Sequence, residues 1–139
     1  MSMTVSRTSG ELDSSTLAEI RALQSRDAVV RAHEAAHIGA GAGVVTSGAQ
    51  YSYQKGPDGK DYAVGGEVGI DLSPVAGNPR ATLAKMETVK ASALAPAQPS
   101  AQDQSVAAAA AQIEAQAQVE AYRKSSDKTP PGSLVDLSA

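Results

Sequence analysis

The chain contains no cysteine, no tryptophan and no phenylalanine, and it has only four tyrosines and two histidines. Without cysteine there are no disulfide staples and no thiolate ligands, so any metal must be held by imidazole and carboxylate. Without the two largest apolar side chains the core loses the residues that usually dominate its energetics. Of the 139 residues, 42% count as hydrophobic, but many are alanine, so the core is expected to be thin. A bound metal would help such a chain, because affinity for the folded state adds directly to stability. Long apolar runs are also missing, and nothing approaches the ~20 residues needed to cross a bilayer. A formal charge of -3, with no basic patch and no cluster of stacking aromatics, argues against nucleic-acid binding. The start, "MSMTVSRTSGELDSS", has no basic segment followed by an apolar one, so no secretory signal is expected and the reading favours the cytoplasm.

The organisation reads as one domain over residues 13–125, with polar, disordered tails at 1–12 and 126–139. Thr16 followed by Glu19 forms a capping-box pattern, and Leu17, Ile20, Leu23, Val30, His33 and His37 continue at helical spacing. The stretch "QSRDAV" interrupts the stripe, leaving open two helices meeting near Ser25. "GAGAG" from Gly39 to Gly43 ends the helix. Tyr51 and Tyr53, then Tyr62 and Val64, alternate with polar residues around "GPDG", a hairpin signal with its turn. Gly65 and Gly66 suggest a bulge or a close backbone approach. Asn78 and Pro79 open a helix carrying Leu83, Met86, Val89 and Leu94. "APAQPS" breaks it, and Ser100 with Asp103 opens a last helix, mostly Ala and Gln, running to about Lys124. The expected fold is α+β and mostly helical: a zincin-like HExxH helix, a β-hairpin and two further helices.

The chemistry sits in "VRAHEAAHIGAGAG", residues 30 to 43, which holds both histidines of the chain. Four residues apart on a helix, His33 and His37 share a face with Cβ atoms roughly 5–6 Å apart, so both imidazoles can reach one ion. Glu34 is too close in sequence to be a comfortable third ligand, but it stands where a general base can take a proton from water activated by the metal. This is the H-E-x-x-H arrangement of zinc proteases. An alanine-rich helix can spell these residues by chance, but here the whole histidine content falls at ligand spacing, with the glutamate in the base position.

A catalytic zinc usually has three protein ligands and an open position. With no further His or Cys, the third ligand must be a carboxylate, and the downstream candidates are Asp58, Asp61, Glu67, Asp71 and Glu87. Asp58 and Asp61 sit at the hairpin tip, and Glu87 lies opposite its helix's apolar stripe. Glu67 follows two glycines among apolar neighbours and is favoured. Asp71 is next, as ligand or as a group orienting a ligand histidine. Tyr53 and Tyr62 are candidates for oxyanion stabilisation, with core packing the commoner duty for each.

The segments "RAHEAAHIGAGAG", "YSYQKGPDGKDYAVGGEVGIDLSPVAGNPRAT" and "KMETVKASALAPAQPSAQDQSVAAAAAQ" closely resemble the SprA-related family of bacterial zinc metalloproteases, over about Arg26 to Glu120. The resemblance implies a metallopeptidase domain with His33 and His37 on the metal ligands and Glu34 on the base, and "GGEV" supports Glu67. The expected function is a Zn2+-dependent endopeptidase acting on a protein or peptide substrate. Two other classes compete with it: a zinc-stabilised scaffold module in which Glu34 is idle, and a helical interaction protein using the Ala/Gln-rich helix.

Overall fold

The computed structural model describes residues 13–127. Five elements follow in order: α1 (Ser14–Ala40), β1 (Val45–Lys55), β2 (Asp61–Ile70), α2 (Pro79–Ala93) and α3 (Ala101–Asp127). The fold is therefore α+β, three helices with a two-stranded antiparallel sheet. Helix α1 is continuous through Ser25, which settles the alternative of two helices. It begins earlier than the Thr16–Glu19 pattern suggests, because the Asp13 carboxylate accepts the Thr16 amide at 2.8 Å and caps the first turn. Of the expected tails, residues 1–12 and 128–139 lie outside the described residues, while residues 126 and 127 complete α3. Among the described residues no helix is long and apolar enough to cross a membrane.

Helix α1 spans about 40 Å at 1.5 Å per residue, and its two halves do different work. The first half buries Ile20 and Leu23 against Tyr62, with Val64 beside them. Midway, polar side chains fasten the hairpin. The Asp27 carboxylate accepts the Ala63 amide at 2.7 Å, and Arg26 donates to the Val64 carbonyl at 3.0 Å. The Ala63 amide, and after it Arg31, hold Asp27 below the usual carboxylate range. Ser52 pairs with Gly65 and Tyr53 with Ala63, so Val64 is the extra residue of a bulge. That irregularity lies beside the glycine pair that suggested one.

The second half of α1 carries the motif and ends at Gly41, whose amide bonds back to Ile38. A Cβ there would stand 2.7 Å from Ser92 Oγ and from Val45 Cγ2, so glycine lets α1 close onto α2. Lys90 meets Glu114 at 2.6 Å, and Lys124 donates to the Gly77 carbonyl at 2.5 Å. These pairings run in opposite senses along the chain, so α2 and α3 pack antiparallel. Between them and the hairpin lies the main core of Val44, Met86, Val89 and Ala110, backed by Ile70, Leu72, Val106 and Ile113.

Met86 is fully buried and is the largest side chain in that core. Met86→Ala is expected to cost about 2–5 kcal/mol, read as a lowered midpoint in urea unfolding. A loss below about 1 kcal/mol would mean that the core is not packed around this residue.

Candidate metal centre

The helical spacing of the motif places His33 and His37 side by side, with ring centroids 4.9 Å apart. Opposite them stands a side chain 70 residues away from His33, Asp103. Its Oδ2 is 2.9 Å from His33 Nε2 and its Oδ1 is 3.1 Å from His37 Nε2. Among the described residues, His33, His37 and Asp103 form the one group able to hold a metal ion, with ligand atoms within 4.8 Å of one another. Zinc bonds of about 2.0–2.1 Å in a tetrahedron place ligand atoms roughly 3.3 Å apart. The two separations from Asp103 are close to that spacing, while the three ligand atoms together span up to 4.8 Å.

The hydrogen bonding of His37 sharpens the test. His37 is only 3% exposed, and its Nδ1 lies 2.7 Å from the Ser92 carbonyl oxygen. A carbonyl can only accept, so Nδ1 carries the proton and donates it. In the neutral imidazole Nε2 then presents a lone pair to an Asp103 carboxylate oxygen. Two acceptors at 3.1 Å repel unless a cation, a proton or a metal ion, stands between them. Ser92 also donates its hydroxyl to the His37 backbone carbonyl at 2.7 Å, so the ring and the main chain of His37 are each tied to α2 by one bond. An imidazole oriented through its other nitrogen by a backbone carbonyl is the usual support of a metal ligand.

Asp103 has a second duty. Its Oδ2 accepts the Ser100 amide at 2.8 Å, while its own amide donates to Ser100 Oγ at 3.0 Å. This reciprocal cap opens α3. Burial pushes the carboxyl up, but hydrogen bonding from Ser100, the charge of His37 and a hydrogen bond with His33 outweigh it and hold it below its ordinary value. In the sequence the cap pattern alone accounts for Asp103, so nothing local marks it as a ligand. The available signal was that one cap bond leaves a carboxylate with acceptor capacity to spare.

Glu34 is 3% exposed and lies under β2. A Cβ on Gly66 would come within 3.0 Å of Glu34 Cγ and 3.3 Å of its Oε2, so the glycine is what allows the strand and Glu34 to touch. Burial raises the Glu34 carboxyl above its ordinary value; the charges of His33 and His37 oppose this, and Asp103 and Glu67 add to it. His33, Glu34, His37, Gly66, Glu67 and Asp103 all line one cleft. Glu67, the favoured third ligand in sequence, is at the surface of that cleft and outside the group of convergent ligand atoms.

The other candidates are engaged elsewhere. Asp58 accepts the Tyr62 hydroxyl at 2.5 Å, Asp61 pairs with Lys55 at 3.2 Å, and Glu87 pairs with Lys90 at 2.8 Å. Tyr62 thus packs in the core and serves the turn, and Tyr53 is exposed. Asp71 bonds Lys85 at 2.8 Å and also Ser73, and these partners, Lys85 first, hold its carboxyl far below the ordinary range. It ties the exit of β2 to α2.

A depressed carboxyl contributes stability above its unfolded value, near 3.9, and loses it as pH falls through its folded value. Lys85→Met is therefore expected to lower the melting temperature most at neutral pH, with the deficit shrinking as acid protonates Asp71. A deficit that does not change with pH would show that Lys85 acts by packing alone.

Comparison with curated proteins and with solved structures gave no match. The model of the SprA-related family matches residues 6–127. That span takes in the motif helix, the hairpin and the helix that brings Asp103 to the histidines, and the chain belongs to the SprA-related family.

Proposed function

We propose that the chain is a zinc-dependent metalloendopeptidase, with His33, His37 and Asp103 holding the ion and Glu34 acting as general base. The observation that carries this reading is the pair of Nε2 atoms facing one carboxylate across 2.9 and 3.1 Å, with the His37 lone pair and an Asp103 oxygen needing a proton or a metal ion between them. Two imidazoles and a carboxylate are the donor set of a hydrolytic zinc site. A bound zinc ion supplies Lewis acidity there, making water acidic near neutral pH and polarising a carbonyl.

The rest of the work falls to the chain's own groups. Glu34 takes the proton of the attacking water on a carboxylate oxygen and gives it to the nitrogen of the departing amine. Its burial, which favours the protonated form, suits a group that must hold a proton between the two transfers. Ser92 keeps His37 in the tautomer that leaves Nε2 free to ligate. Protein or peptide is the proposed substrate, approaching through the cleft lined by β2.

A specific observation also favours the scaffold reading: an ion at this point would cross-link α1 to the start of α3 in a molecule with a small core. The two readings part at Glu34. The protein is loaded with zinc and assayed on a peptide library beside Glu34→Gln, Asp103→Ala and Glu67→Ala. The enzyme reading expects about one zinc per chain, lost in Asp103→Ala and kept in Glu67→Ala. It also expects Glu34→Gln to keep zinc while turnover falls roughly 10²–10⁴-fold. A zinc-loaded parent that cleaves no library member leaves the scaffold reading standing. Zinc lost in Glu67→Ala but kept in Asp103→Ala would move the third ligand to Glu67.

A further inference from the structure

The cleft that holds the metal cluster is larger than the cluster needs. It has a volume of about 470 Å³, within the range of sites that take a ligand side chain or more (~300–1,000 Å³). Beyond His37 and Asp103 its lining turns apolar, with Val68, Ile70 and Leu72 from the end of β2 and the loop after it, and Val106 from the first turns of α3. All four are half-buried. Ile70, Leu72 and Val106 rest on the main core of Val44, Met86, Val89 and Ala110. This apolar floor is thus backed by the best-packed part of the molecule and is not a loose surface patch.

The charges of the cleft have one sign. Glu34, Glu67 and Asp103 line it, and no lysine or arginine does. An acidic side chain entering this part of the cleft would meet carboxylates with no lysine or arginine to pair with, whereas an apolar one would cover surface that water now wets.

We propose that this end of the cleft selects the substrate by seating an apolar side chain next to the scissile bond on Val68, Ile70, Leu72 and Val106, and that it disfavours an acidic one. The inference rests on the reading of His33, His37 and Asp103 as the metal site. Val106 is the specificity-determining position with the clearest test, since it lies three residues after Asp103 on the same helix. The seat and the ion are thereby held in register by one rigid element.

The test uses small hydroxamates, which bind a metal through their head group while the side chain reports the pocket. The zinc-loaded full chain is titrated calorimetrically with the glycine, leucine and aspartate hydroxamates, beside Val106→Ala and Leu72→Ala. Alanine at 106 keeps the helix, since it is the best helix former. The leucine compound is expected to bind at least about 10-fold tighter than the glycine one, in keeping with discrimination by buried methylenes, and the aspartate compound more weakly than glycine. Val106→Ala and Leu72→Ala should each shrink the leucine advantage without changing glycine affinity. Equal affinity for all three compounds overturns the apolar seat while leaving the metal site in place. An unchanged leucine advantage in both variants overturns its assignment to these residues. Failure to retain zinc or bind any hydroxamate overturns the metal reading, and this inference with it.

Discussion

One carboxylate facing two imidazoles organises this molecule. Asp103 reaches the histidines across 70 residues of sequence, and the tautomer imposed on His37 by the Ser92 carbonyl leaves its Nε2 and the carboxylate in need of a proton or a metal ion between them. Everything else in the fold keeps these three side chains in place. The Gly41 closure lets α1 meet α2, the Ser100 cap fixes the start of α3, and the antiparallel packing of α2 on α3 holds that start against the motif.

The thinness of the core explains why so many of these contacts are polar. With no phenylalanine or tryptophan, the hairpin is fastened to α1 by Asp27 and Arg26 acting on backbone groups, and to α2 by Asp71 and Lys85. Such bonds contribute modestly on their own, but they are directional. They set the height of β2 over Glu34, where packing of alanine and valine alone would leave strand and helix free to slide. With the same economy an ion at the site would stabilise the fold, since it would join two helices that share little contact.

The site was half legible. His33, Glu34 and His37 announce themselves because ligand spacing on a helix is a local property. The glycines before Glu67 point to that residue in the sequence, and they do mark a close approach, but the group that approaches is Glu34, packed against Gly66. The carboxylate turned toward the histidines is Asp103, whose local pattern reads as a helix cap and is one. A residue serving two roles shows only the nearer one in sequence, because the farther one depends on where α3 lands.

The elements themselves could be read from the chain. Helix spacing, the Gly56–Lys60 turn, the proline at the start of α2 and the break before α3 act through backbone preferences that need only neighbouring residues. The boundaries moved by a turn or less, as at Asp13 and Asp127. Which carboxylate meets the histidines, which strand covers Glu34 and which apolar residues floor the cleft are set by contacts between residues 30 to 70 positions apart. No periodicity or propensity encodes such contacts. They follow from the packing of α2 and α3 onto the hairpin and the motif helix, where burial and the pairing of polar groups are satisfied together.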